Sequence, residues 1–454
     1  AELAILGPAP PSSKFAGVMN SILDSSLHQV VWLAGPGAWQ AVSQCSRASR
    51  ASLSGSPCLS VELPDRAVDV PSVVRTLSGL HSLVHLDVDM KGCWGTKSTK
   101  QRPDRSLLDG DVTAAADWGV ALSRCATLQR LRLNLACTGL SDTGVLVLFS
   151  KVHCLPSLQA VDLDLSSNSI SPVGVASVCT MLRSCHRARK VAIKLQSNKI
   201  RGVGACELAA VLPLFSGLEQ LSINLDSTEI GDDGALALGR AFTGLPRLRT
   251  LDLDMWFNDI GDAGVRGLVA KLPSSLEHFR LAVPKNKRLG DSFLKFLGSG
   301  LQQCPSLRCL DVKFCSTFAG NDGLRALASS IGTLCDLRTL CVDCTSTRVG
   351  NAGIVALGNA MVSLRQLTSV SVFARGNLIA DSGISQFVSS VAQLNADSLQ
   401  LDFQDNIFTQ DVADDVMKRM RESVDCPSVC VVLGSALKGL KLETSDAGSA
   451  EECK

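Results

Sequence analysis

The chain has 454 residues, 46% of them hydrophobic and 19% charged, with 44 basic against 43 acidic side chains. That apolar share excludes a disordered chain, and a net charge of +1 excludes a general polyelectrolyte surface for nucleic acid or anionic membrane. Mean hydropathy is positive, yet no charge-free apolar window of about 18 residues occurs, so no transmembrane helix is expected.

Taken in chain order, the opening AELAILGPAPPSSK lacks the basic n-region and the sustained apolar core of a secretory signal. Residues 1–20 read as a flexible segment. Residues 21–55 contain ILDSSLHQVVWL, the turn GPGA, then WQAVSQCSRASRASL, a pattern that predicts two short amphipathic helices joined by a Gly-Pro turn. This string resembles the F-box, a helical motif that docks substrate receptors onto the adaptor of cullin–RING ubiquitin ligases. The resemblance assigns the docking positions to Leu23, Leu27, Val30, Leu33, Val42 and Cys45, and the mid-motif turn to Gly35-Pro36-Gly37. Two departures stand out: Asp24 replaces the family's usual Pro, and Ala48 its usual large aromatic. The alternative is a helical cap over the open end of a repeat array.

From residue 56 to 433 the chain repeats itself. LVHLDVDM from Leu83, LQRLRLNL from Leu128, LQAVDLDL from Leu158, ARKVAIKL from Ala188 and LEQLSINL from Leu218 share one pattern. LRTLDLDM from Leu248, LEHFRLAV from Leu276, LRCLDVKF from Leu307, LRTLCVDC from Leu337 and LTSVSVFA from Leu367 continue it. Starts fall 28 to 31 residues apart except after Leu83, where a gap of 45 holds an insertion. The alternation L-x-x-L-x-L-x-L predicts a strand with its leucines on one side. A turn with Asn (Asn168, Asn198, Asn258, Asn377, Asn406) follows, then G-D-x-G or a variant, whose Asp or Asn is expected to N-cap an amphipathic helix. These units resemble leucine-rich repeats of the ribonuclease-inhibitor type. The resemblance implies an α/β solenoid, a horseshoe with a parallel concave sheet and outer helices. Several units carry an added alternating pair, such as Leu163-Asp164-Leu165, read as a strand about two residues longer.

The insertion at 91–109 is a basic loop, with Lys91, Lys97, Lys100, Arg102 and Arg105. It suits phosphate or an acidic protein surface, with a solvated flexible loop as the alternative; nucleic acid is not the expected partner. The tail, residues 434–454, ends in the small, acidic ETSDAGSAEECK and is expected to be disordered. The 18 cysteines, in a long chain without a signal, read as free, reduced core residues of a cytoplasmic protein, with the nucleus as the alternative. Cys125, Cys154, Cys185, Cys304 and Cys335, just before repeat starts, are expected to fill small buried slots. The same small slots would explain why aromatics are only 4% of the chain.

Neither G-x-x-x-x-G-K-[ST] nor H-E-x-x-H occurs, so no enzyme, cofactor or metal site is expected. The informative residues are those on the strand face opposite the leucines. They are Asp87, Asp89, Arg132, Asn134, Asp162, Asp164, Lys194, Asn224, Asp252, Asp254, Arg280, Asp311, Lys313, Asp343, Phe373 and Asp402. Nine acids and four bases among them predict an acidic face that steers a basic protein partner. Trp256 and Phe257, just past a strand, are candidate rim anchors. The expected function is a non-catalytic protein-interaction scaffold. The alternatives are an F-box-like substrate receptor of a cullin–RING ligase, and an inhibitor of a basic enzyme such as a ribonuclease.

Overall fold

The computed structural model describes residues 31–34, 58–62, 83–91, 108–150, 152, 155–423, 428–433 and 440–442. It falls into two units, Ala1–Leu253 and Asp254–Lys454. In the first, β1 (Val31–Ala34), β2 (Cys58–Glu62), β3 (His85–Asp89), β4 (Arg130–Asn134), β5 (Ala160–Asp164), β6 (Lys190–Lys194) and β7 (Gln220–Asn224) pair in chain order, all parallel. Strand β8 (Thr250–Asp254) comes last. In the second unit β9 (His278–Ala282), β10 (Cys309–Lys313), β11 (Thr339–Asp343), β12 (Ser369–Phe373), β13 (Ser398–Asp402) and β14 (Ser428–Val432) repeat the arrangement. A helix follows most strands, such as Pro172–Ser184 after β5 and Asp291–Leu301 after β9. This is the α/β leucine-rich repeat solenoid that the sequence pattern predicts.

The alternation sets the register. Each strand from β3 to β14 buries its second and fourth residues, so Leu131, Val161, Val191 and Leu221 align across β4–β7, at most 2% exposed. Helix side chains such as Val175, Leu208 and Leu238 close the core behind them. Each such side chain contributes roughly 1.5–3 kcal/mol by leaving water. Contrary to the small-slot expectation, large aromatics fill this layer too: Trp118, Phe149, Phe215, Phe242 and Phe293 are fully buried.

The added pair does not lengthen the strands beyond five residues. It instead extends the backbone ladder: Leu165 N–H donates to Lys194 O and Ser167 N–H to Gln196 O, both at 2.8 Å. The residue before each turn Asn or Thr then adopts positive φ, as at Ser167 (53°), Ser197 (57°), Phe257 (54°) and Gly376 (66°). That turns the chain sharply enough to drive the next side chain inward.

Two polar ladders bind neighbouring repeats. Asn198 Nδ2 donates to Leu165 O (2.9 Å) and to Leu195 O (3.0 Å), while its Oδ1 accepts from Ile170 N–H (3.0 Å). Asn168, Asn286, Asn377 and Asn406 bond in the same way. The second ladder corrects the capping expectation. Asp291, Asn321 and Asn351 lie inside their helices rather than at the N-cap, and their side chains serve the following repeat. Asp291 Oδ1 accepts from Gly320 and Gly323 N–H (2.7 and 2.9 Å), and Asn321 Oδ1 from Gly350 and Gly353 N–H (2.9 and 2.8 Å). The second glycine of the motif is there for close approach: a Cβ on Gly383 would lie 2.2 Å from Asn351 Oδ1.

Three further expectations are corrected. Val31–Ala34 is a strand parallel to β2, not the end of a helix, so Leu33 lies in the sheet, which begins well before residue 56. The run VVWL has the β-branched and aromatic character of a short buried strand, which periodicity alone does not separate from a helix. Leu23, Leu27, Val30, Val42 and Cys45 lie outside the described residues. In the tail, Leu440–Leu442 forms β15, antiparallel to β14, so the sheet continues past residue 433. Among the cysteines, Cys125, Cys185 and Cys304 are buried but Cys335 is exposed. The slot lies three residues before the repeat leucine and holds Leu334 there; Cys335 is one residue off register. Cys154 lies outside the described residues.

Candidate partner-binding face

The first, third and fifth residues of each strand face away from the helices. All sixteen expected face residues sit at the third or fifth position and are partly or fully exposed. The two rows do different work. At the fifth position the Asp or Asn folds back on its own turn. Asn134, Asp164, Asn224, Asp343 and Asp402 accept, through Oδ1, from the backbone N–H two residues on, at 3.0–3.1 Å. Asp89 does the same for Lys91 N–H (3.0 Å) and accepts from Asn134 Nδ2 at 2.8 Å. These are Asx turns, and they account for much of the acid excess by local structure.

The third row is tied by cross-strand ion pairs. Arg132 lies between Asp87 (3.3 Å) and Asp162 (3.6 Å), and Arg280 between Asp254 (3.3 Å) and Asp311 (3.2 Å). On the fifth row Lys194 pairs with Asp164 of the neighbouring strand (3.8 Å) and Lys313 with Asp311 of its own strand (3.7 Å). All four expected bases therefore neutralise expected acids. Asp252 accepts from Ser222 Oγ at 3.3 Å. Burial holds the Asp87 carboxyl above its usual range, with Arg132 opposing the shift.

The first row escaped the sequence reading, which began each face at the third position. It carries His85, Arg130 and Lys190 in the first unit. Counting back two residues from Arg132 or Ala192 would have found it. Arg130 and Lys190 are exposed and make no ion pair among the described residues. Desolvation, helped by Arg130, holds the His85 pKa below its ordinary value.

Rows one and three of β3–β8 enclose a recess of about 620 Å³, dipped where Ala160 and Ala192 replace longer side chains. Three cations (Arg130, Arg132, Lys190) and three carboxylates (Asp87, Asp162, Asp252) line it, so it is balanced rather than acidic. Over β11–β13 of the second unit the same rows turn small and neutral, with Thr339, Cys341, Ser369, Ser371, Ser398 and Gln400, while the partly exposed Phe373 lies on the fifth row.

Burial pushes the thiols of Cys304 and Cys341 up to about 12, against any nucleophilic role at neutral pH. Among the described residues no group of His, Cys, Asp or Glu is placed to hold a metal. No described helix is long and apolar enough to cross a membrane. Lys91 is exposed at the start of the basic insertion, while Lys97, Lys100, Arg102 and Arg105 lie outside the described residues. Trp256 and Phe257, the candidate rim anchors, are 40% and 60% exposed.

No curated protein sequence matches the chain. Among solved structures, the yeast complex of Rad7 and Elc1 contains a chain with 15% identity and a TM-score of 0.41, over 91% of this chain and 92% of that one. A family model described as "Leucine Rich repeat" matches residues 161–179, 221–239 and 248–269; the first two open within a strand and the third two residues before one, and each runs into the following helix. Those stretches of the chain are leucine-rich repeats.

Proposed function

We propose that the chain is a non-catalytic protein-interaction scaffold that takes its partner on the open face of the first unit. The recess lined by β3–β8 carries the reading. It lies on the side of the sheet without helices, and Arg130 and Lys190, the lining cations that make no ion pair among the described residues, flank the dip at Ala160. A partner segment presenting carboxylates to that row would fit. The basic partner expected from counting acids is less well supported, because those acids cap turns or pair with neighbouring bases. Affinity capture with the full chain, with Arg130→Glu/Lys190→Glu, and with the helix-side control Arg183→Glu tests the reading. Loss of the same captured protein in the double variant alone supports it. Equal capture by all three refutes it.

The ligase-receptor reading rests on the resemblance of residues 21–55 to the F-box. Deleting the segment would also remove β1 and disturb β2, so point changes are the better test. If Leu23→Asp/Leu27→Asp leaves recovery of cullin adaptors unchanged, or none is recovered with the native chain, the reading fails. The ribonuclease-inhibitor reading draws its support from an acidic face, and the ion pairs described above neutralise much of it. A nuclease titration without inhibition at low salt would end it.

A further inference from the structure

A second surface lies on the strand-to-helix turns, where the residue following each ladder Asn or Thr is exposed. In the first unit that row reads Gly139, Ser169, Lys199 and Glu229, small or polar throughout. In the second unit it reads Asp259 and Lys287, then Phe318, Arg348, Leu378 and Ile407 on four successive turns. Phe318, Leu378 and Ile407 are 50%, 55% and 62% exposed.

The core does not need these side chains. The residues that follow, Ala319, Val349 and Ile379, fill the interior at 0% exposure. Single exposed apolar residues are ordinary, but three on four successive turns form a ridge. Backbone bonds hold it in line: Arg348 N–H to Ala319 O, Leu378 N–H to Val349 O and Ile407 N–H to Ile379 O. With turns ~4.8 Å apart, four of them span roughly 14 Å.

Two cations of this edge are held against rings, whereas Arg288 and Arg375 pair with Asp259 and Asp405 (3.7 and 2.8 Å). The Arg348 guanidinium lies 4.5 Å from the centre of the Phe318 ring, and Lys285 Nζ lies 4.7 Å from that of Trp256. Neither makes an ion pair among the described residues. Phe257, 60% exposed, keeps a φ of 54° at a position where other repeats place Ser, Gly, Cys, Lys or Asp. A bulky residue held there against its backbone preference, without burial, points to a use outside the fold.

We propose that this ridge docks an amphipathic helix of a partner protein, with aliphatic residues at i and i+4 and acidic side chains beside them. The chemistry matches on both counts. Successive turns of a helix present a residue about every 5–6 Å, close to the ridge spacing, so nine or ten residues at ~1.5 Å rise cover it. Carboxylates on the helix flank meet Arg348 and Lys285, each already fixed over a ring. The inference is independent of the open-face reading, since Arg130 and Lys190 belong to the first unit.

The test is selection of 18-residue helical peptides from a displayed library against the full chain, scored by fluorescence polarisation. The variants are Phe318→Glu/Leu378→Glu/Ile407→Glu, the single Leu378→Glu, and Leu146→Glu as a control on an exposed leucine of the first unit. Circular dichroism checks that each is folded, and the single change serves if the triple one is not. Enriched peptides should be acidic with aliphatics at i and i+4. They should lose at least tenfold in affinity for the ridge variants and none for Leu146→Glu or Arg130→Glu/Lys190→Glu. No enrichment, basic or proline-rich winners, or equal binding to the ridge variants overturns the proposal. So does a native dimer that the ridge variants dissolve, which would make a second copy the occupant. Binding of the native chain alone to phosphatidylserine vesicles would assign the ridge to a lipid surface and overturn it too.

Discussion

Replacing Asn286 by Ala tests whether the ladder amides hold the solenoid together. Asn286 is fully buried; its Nδ2 donates to Met255 O and Val283 O at 2.9 and 3.0 Å, and its Oδ1 accepts from Asn258 and Ile260 N–H at 2.9 and 3.0 Å. Alanine leaves two carbonyls and two N–H groups facing an empty slot. At about 1 kcal/mol net per bond the loss approaches 4 kcal/mol, and a water entering the slot would return part of it, so 2–4 kcal/mol is expected. The comparison is Asn134→Ala, on the open face, where one amide caps a turn and bonds Asp89; about 1 kcal/mol is expected there. Asn286→Asp keeps the shape and the acceptors but turns a carboxylate toward two carbonyls, and should cost more than Ala at neutral pH. Urea unfolding followed by circular dichroism reads all three. With a slope of about 3 kcal/mol/M, Asn286→Ala should lower the midpoint by roughly 1 M. If it costs no more than Asn134→Ala, the ladder is not what binds the repeats.

Gly383→Ala should destabilise by about 1–3 kcal/mol, because its Cβ meets Asn351 Oδ1; adding Asn351→Ala should recover part of that loss in the same melts, and a simple sum would refute the contact. Arg280→Gln, which frees two partly buried carboxylates, should cost about 1–2 kcal/mol, while Arg201→Gln, in an exposed pair with Glu229, should cost under about 0.5 kcal/mol; equal losses would show that burial does not matter here. The buried thiols of Cys179 and Cys304 titrate near 12 instead of 9.0, so the folded chain binds more protons than the unfolded one between those values. Their contribution is therefore complete below pH 9 and is lost as pH rises toward 12, and the urea midpoint should fall from pH 8 to pH 10. Under native conditions at pH 8, iodoacetamide should label Cys206 and Cys335 well before Cys125, Cys185 or Cys304, and uniform labelling would refute that burial.

The repeat was legible because one physical rule, alternation, acts on every strand. Leu131 and Leu133 declare the inward face and Arg132 the outward one, and a period of 30 leaves only a strand, a turn and a helix to fit. What the alternation does not show is a bond to another repeat. Asp291 sits three residues before Leu294 and looks like a cap for its own helix, yet its carboxylate reaches the next repeat's glycines. Asn286 went unnoticed because its turn, PKNKRL, is one residue longer than that around Asn258. The acid excess misled for a related reason: charge counting treats Asp164 and Asp343 as free surface, whereas each is bonded to the turn it starts. Val31–Ala34 failed differently, since four apolar residues are too few for a period of 2 and one of 3.6 to be told apart.

The two ladders also give the stack a direction. Asp291 reaches forward to Gly320, Asn321 forward to Gly350, and Asn351 forward to Ala380, so each of these helix starts offers an acceptor to the repeat after it and takes one from the repeat before. Removing or duplicating one whole repeat between equivalent positions keeps every acceptor matched to a donor. Cutting half a repeat breaks both ladders at the junction. Chain length in such an array changes in steps of about 30 residues, and the reversed β15 offers no parallel register on which another such step could be laid.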